Sequence, residues 1–162
     1  MIANITQGMI ALSKGNLHDI NHFLMVWAYA RNIGLMEALD QRTQDILEIA
    51  ALVHDIACPL CREKYGSTAG KLQEQEGATL TEHFLKEYDI DEEMKNRICY
   101  LIGHHHTFTQ IEGMDYQILI EADYLVNAIE NGWGKDNVSN FVSKFFKTSA
   151  GIGLAKNLFL EY

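Results

Sequence analysis

The sequence predicts an all-α protein, a bundle of helices joined by short links. Three observations predict it. Apolar residues recur at three- and four-residue steps through most of the 162 residues. No segment alternates with the two-residue period of a half-buried strand. A single proline, Pro59, is the only strong helix breaker in the chain.

In NLHDINHFLMVWAYARNIG, Leu17, Ile20, Leu24, Trp27 and Ala30 line one face, and Gly34 is the expected stop. In TQDILEIAALVHDIA, Ile46, Ile49, Ala50, Val53 and Ile56 or Ala57 make a second stripe that starts near Thr43 or Asp45. Pro59 should end that helix, because proline pushes the residue before it out of the α region. GSTAG (66–70) reads as a loop. A third helix is expected over about 72–88, with Leu80, Phe84, Leu85 and Tyr88 inward. A fourth is expected over about 92–104 through Met94, Ile98, Leu101 and Ile102, and a fifth over about 115–131 through Ile118, Ala122, Leu125, Val126 and Ile129. NGWGKDN breaks the chain, and one or two closing helices follow over about 136–161. The expectation is one domain over 1–162, with irregular stretches near 58–70 and 105–114 as natural places for a site.

The formal charge of −9 repels polyanions, so a nucleic-acid polymer is not an expected partner. A small anionic substrate is compatible with it, because a bound divalent cation reverses the local field. No apolar run approaches the ~18 residues of a membrane span, so no membrane partner is expected. The opening stretch MIANITQGMIALSKGN has neither a basic region nor a sustained apolar core, and three cysteines are too few and too odd for a disulfide framework. Both point to a cytoplasmic setting. Self-association is left open.

Two short motifs compete for attention. Cys58-Pro59-Leu60-Cys61 has redox or half-zinc spacing, but it follows a helix C-terminus, and Cys99 has only His104 near it as a fellow ligand. Packing as small apolar groups is the simpler reading. GSTAGK (66–71) falls one residue short of a phosphate loop and has Leu72 where Ser or Thr should stand. Lys71 beside glycine-rich backbone still suits a phosphate contact if that loop faces a metal site.

The histidines and aspartates carry more. His22 lies between Ile20 and Leu24, His54-Asp55 between Val53 and Ile56, and Asp123 between Ala122 and Leu125. A lone helical histidine among apolar neighbours is ordinarily a hydrogen-bonded core residue. An aspartate there is costly to bury unless it is paired or bound to a cation. Three such interruptions on three helices suggest one shared partner, and a divalent metal suits imidazole and carboxylate donors together.

The order His22, His54-Asp55, Asp123 resembles the pattern of the HD superfamily of metal-dependent phosphohydrolases. LVHDIA resembles its apolar-apolar-His-Asp-apolar core, LIGHHH the I-x-x-H-H segment that often follows, and ILIEADYLVNAI its closing A-D-x-L segment. The likeness spans about residues 17–130. It implies an HD-domain-like helical bundle, with His22, His54, Asp55 and Asp123 as ligands of a divalent ion (Mn, Mg, Fe, Co, Ni or Zn). It also implies hydrolysis of a small phosphate ester, a nucleotide among the candidates. Many two-metal members have a histidine where this chain has Gln73, four residues before Gly77-Ala78. They often have lysine, and nucleotidase members glutamate, where it has Cys58. One ion per site is therefore expected. Asp55 would orient a water, and Lys71, His104 or His105 would stabilise phosphoryl oxygens or protonate the leaving group. Gln73, Glu74 and Glu76 could stand in for the missing groups. At most two consecutive helical residues face one site. By resemblance His105, three after Ile102, best fits the family's histidine and His104 is second, while His106 is read as a solvent-exposed loop residue. The competing reading is a non-catalytic HD-fold domain that binds metal or a nucleotide as a structural or sensing element.

Overall fold

The computed structural model describes residues 1–161. Among them the chain forms α1 (Ile2–Leu12), α2 (Leu17–Met36), α3 (Gln41–Val53), α4 (Cys58–Tyr65), α5 (Gly70–Leu85), α6 (Glu92–Ile102), α7 (Met114–Glu130), α8 (Lys135–Phe145) and α9 (Ser149–Ala155), closed by a π-helical turn, Lys156–Leu160. No strand occurs among the described residues. The all-α expectation holds.

α3 and α7 form the centre. Every residue from Ile46 to Val53, and from Asp115 to Val126, is buried. Helices covered on all sides show little amphipathic contrast, which is why their stripes are less sharp in the sequence than that of a surface helix. α2 packs on both, α6 and α1 cover α3, and α5 lies on α6. Gly77 permits that last approach, since a Cβ there would stand 2.8 Å from Ile102 Cγ2. The Gly77-Ala78 pair is thus a packing feature.

Polar side chains set the helix starts. Asn16, Asp40, Asp91 and Thr148 accept from the backbone N–H three residues on, at 3.3, 3.0, 2.9 and 2.9 Å. α3 therefore begins before the expected Thr43 or Asp45. Gly34 does not stop α2. A Cβ there would collide with the Gln44 side chain, so its role is close helix contact, and the chain turns at Ala38, whose φ is 55°.

Pro59 departs most from expectation. α3 ends at Val53, the chain turns through residues 54–57, and Pro59 opens α4. Proline is at home in a first helical turn, where its missing N–H is not needed. Residues 58–65 are consequently helical, and only 67–69 remain as loop. α1 adds a helix to the expected set, burying Ile5 and Met9 and bringing Gly8 against Phe84 and Tyr88.

The α6–α7 connection is irregular, as expected for 105–114, yet firmly held. The Tyr116 hydroxyl sits 2.5 and 2.7 Å from the carbonyls of His104 and Thr107. Glu74 accepts from the His106 N–H at 3.0 Å and the Thr107 hydroxyl at 2.9 Å. At the far end Arg97 donates to buried Asp115 through Nε (2.8 Å) and Nη2 (2.7 Å). Arg97→Ala strands that carboxylate and should cost about 2–3 kcal/mol. Urea unfolding checks this: the midpoint should fall at unchanged slope, and an unchanged midpoint would refute the anchor.

Candidate metal centre

Three helices bring the predicted donors to one point. His22 comes from the second turn of α2, His54 caps the C-terminus of α3 with Asp55 next to it, and Asp123 faces inward from α7. His22 Nε2 lies 3.1 Å from His54 Nε2, 3.3 Å from Asp123 Oδ1 and 3.5 Å from Asp55 Oδ2. His54 Nε2 lies 3.5 Å from Asp123 Oδ1 and 3.6 Å from Asp55 Oδ1. Donors bonded at about 2.1 Å to one ion stand roughly 3.0–3.4 Å apart in tetrahedral or octahedral arrangements. The 3.1 and 3.3 Å separations fall in that range, and the others, at 3.5–3.6 Å, lie just beyond it.

Hydrogen bonds at the other ring nitrogens fix the tautomers. His54 Nδ1 lies 2.8 Å from the Ala51 carbonyl, which can only accept, so that nitrogen carries the proton. His22 Nδ1 donates to Glu130 Oε2 at 2.9 Å. In their neutral forms both rings therefore aim an Nε2 lone pair into the same small space. Facing lone pairs repel unless a cation lies between them, and two carboxylates beside them add to that demand. Asn127 Nδ2 donates to Asp123 Oδ1 at 2.7 Å and fixes that carboxylate in turn.

His105 and His106 form a second donor group with Asp55, its donor atoms within 4.8 Å of one another. His105 Nδ1 donates to the Ile102 carbonyl at 2.8 Å, and its Nε2 lies 3.7 Å from Asp55 Oδ1. The Nε2 atoms of both rings are buried without a hydrogen-bond partner. The reading of His106 as a solvent-exposed loop residue is thus overturned. Its ring fills space that Gly70 leaves open, where a Cβ would stand 2.6 Å away, and burial lowers its pKa to about 4.

The remaining residues divide clearly. His104 turns outward, its Nδ1 on the Tyr100 carbonyl at 2.7 Å and its ring stacked on Tyr100, outside the cluster. Lys71 is exposed and does not line the cavity above the cluster. Glu76 pairs with Lys64 at 2.8 Å and Tyr65 at 2.5 Å, and Glu74 ties down the α6–α7 link. Gln73 does reach the cavity, with Nε2 on the Thr68 carbonyl at 2.8 Å. Cys58 also lines it. Burial and the Asp55 and Asp19 charges push its thiol pKa far up, which keeps it neutral.

That cavity holds about 300 Å³ and opens over His22 and Asp55. Its cation is Arg62, one turn beyond Cys58 on α4 and hydrogen-bonded to Asp19. Arg62, Glu130 and Asn127 were not singled out in the sequence. The signal was there: Asp123, Asn127 and Glu130 are spaced by four and three along one face of α7, and Arg62 follows Cys58 by four.

The HD domain family model matches residues 19–137. The chain belongs to the HD domain family. A 1.45 Å crystal structure of a predicted HD superfamily hydrolase from an uncultured Thermotogales bacterium has the same fold. It superposes with a TM-score of 0.66 at 24% identity, over 96% of this chain and 82% of that one. No curated protein matches the chain. HD domains typically hold divalent metals, and both donor groups of this one could hold such an ion.

Charge makes the donor set responsive to pH. Burial opposes a charged His22, but the adjacent Asp123 carboxylate and the Asp55 charge outweigh it and raise its pKa to about 10. Burial likewise opposes charge on Asp123 and Asp55. Nonetheless the close approach of His22 and His54 holds Asp123, and the His54 charge with the neighbouring His105 ring holds Asp55, well below the usual carboxylate range. A raised pKa stabilises the metal-free fold below the ordinary imidazole value, and this is lost as pH rises through about 10. An ion must displace the His22 proton, so its apparent affinity should rise with pH toward that value, about tenfold per unit. Calorimetric titration in buffers of different ionisation enthalpy should find about one proton released per ion at neutral pH. No release would contradict the assignment.

Proposed function

We propose that this HD domain is a metal-dependent phosphohydrolase acting on a small phosphate ester. The observation that carries the reading is the pair of Nε2 atoms 3.1 Å apart, flanked by two carboxylates, beneath a cavity that holds an arginine. His22, His54 and Asp123, with Asp55, would hold one divalent ion. When bound, such an ion lowers the pKa of a water and neutralises charge developing on phosphoryl oxygens.

The chain's own groups do the rest. Asp55, the most accessible donor, orients the attacking water through a carboxylate oxygen. Arg62 presents its guanidinium to the phosphoryl oxygens, with Asp19 fixing its direction. It supplies, one turn later, the positive charge absent at Cys58. In this role Arg62 replaces exposed Lys71 and outward-turned His104. Glu130 holds His22 in the tautomer that leaves Nε2 free, and Asn127 does the same for the aim of Asp123. His105 steadies Asp55 from beneath.

Metal analysis of purified protein tests the ligand set. Wild type should retain one divalent ion per chain, His54→Ala and Asp123→Ala none, and Cys58→Ser should match wild type. A count of two would add an ion on Asp55, His105 and His106, and loss of metal in Cys58→Ser would refute the set. Turnover is tested on phosphomonoesters, nucleotides and cyclic dinucleotides with Mn²⁺, Mg²⁺, Co²⁺ or Ni²⁺. Arg62→Ala should lower kcat/KM at least about 100-fold while retaining metal. Stoichiometric metal with no turnover on any ester would favour the binding or sensing role instead.

A further inference from the structure

A second cavity, of about 330 Å³, lies beside the first, between α7, α8 and the α6–α7 link. The two are adjoining. His106 and Asn127 line both, and Asp123, a member of the donor cluster, stands at the inner end of the second. Their characters differ sharply. The first is walled by charged and hydrogen-bonding groups, among them Arg62, Asp19, Asp55 and Glu130. The second is walled by the rings of Phe108, Tyr124, Trp133 and Phe141, with the amides of Asn127 and Asn137 at its edge.

The aromatic wall is built rather than incidental. Tyr124 and Phe141 stack at 3.7 Å with 7° between their planes, and Trp133 leans on Tyr124 at 5.2 Å. Trp133 is placed by the turn after α7, where its backbone N–H donates to the Ala128 carbonyl at 3.0 Å and Gly132 takes a φ of 60°. Phe108 reaches over from the α6–α7 link and meets Phe141 edge-on at 5.3 Å. Flat apolar faces with hydrogen-bonding amides at the rim suit an uncharged planar heterocycle. The one carboxylate present, Asp123, repels a phosphate from this side, whereas Arg62 attracts it on the other.

Resting on the reading of the donor cluster as a phosphohydrolase site, we propose that the second cavity is the subsite for a flat heteroaromatic ring carried by the alcohol portion of the phosphate ester. The substrate class is that of a nucleoside monophosphate. The phosphate lies over His22 and Asp55, the ring lies against Phe141 and Tyr124, and His106 and Asn127 form the wall between the two parts.

Direct binding tests this apart from turnover. Calorimetry on the Mn²⁺-loaded full chain compares the 5′-monophosphates of adenosine, guanosine, cytidine and uridine with ribose 5-phosphate. At least one nucleotide should bind about tenfold or more tighter than ribose 5-phosphate. Phe108→Ser, in an exposed link, and Phe141→Leu, which keeps apolar volume, should each weaken that nucleotide about tenfold and leave ribose 5-phosphate and metal content unchanged. Equal affinity for nucleotides and ribose 5-phosphate overturns the subsite, as does absence of binding by every nucleotide or equal weakening of both ligand types in the variants. Ring-dependent binding without hydrolysis would uphold the subsite and remove the hydrolase reading. Hydrolysis with the same KM for nucleotide and ribose 5-phosphate would do the reverse.

Discussion

The structure depends on one buried cluster that needs a positive charge, supplied by a proton or by a metal ion. Two imidazole nitrogens, on His22 and His54, face each other 3.1 Å apart with their opposite nitrogens already committed as donors. Asp123 and Asp55 stand against them. Burying this much basicity and negative charge at one point is costly unless a cation resolves it. Much of the surrounding structure serves to present that point.

The scaffold has the stiffness this requires. α7 carries Asp123, and the end of α3 holds His54 at its C-cap with Asp55 in the turn that follows, so the buried His54 and Asp123 side chains cannot swing away without disturbing close packing. The flanks are pinned by buried carboxylates that are fully engaged. Glu48 joins α3 to α2 through Trp27 at 3.0 Å and Arg31 at 2.5 Å. Glu121 gathers the start of α9 onto α7 through Gln117, the backbone of Lys147 and Thr148, and the Thr148 hydroxyl. Removing either partner of such a contact exposes the other to full desolvation cost, so these positions tolerate little change. The accessible part of the molecule is the reverse: Arg62 on α4 and Phe108 on the α6–α7 link lie where side chains can adjust to a ligand.

Sequence made the helical bundle and the meeting of His22, His54-Asp55 and Asp123 legible for one reason. Polar, ionisable residues inside apolar stripes are expensive, and their recurrence on three helices points to a common partner. What it did not convey was orientation beyond a single helix. Pro59 reads equally as an ending or a beginning, and the turn at 54–57 decides it. Of three consecutive histidines, His105 reads as the best candidate, His104 as the second and His106 as a surface residue. The Glu74 and Tyr116 contacts twist the link so that His105 and His106 turn inward and His104 outward. α1 carries a readable stripe, Ile2, Ile5, Met9 and Leu12, but its seat on α3, with Gly8 against Phe84 and Tyr88, is a tertiary fact. Arg62 was hidden because its value lies in standing one turn from a position that looked empty of charge.

The central claim is that the lone pairs of His22 and His54 converge on one divalent ion. X-ray absorption at the metal edge of cobalt-loaded protein addresses it most directly. The account predicts nitrogen and oxygen neighbours at about 2.1 Å with imidazole multiple scattering, and the loss of one imidazole contribution on His22→Ala. A spectrum with sulfur neighbours, or one without imidazole scattering, would contradict it.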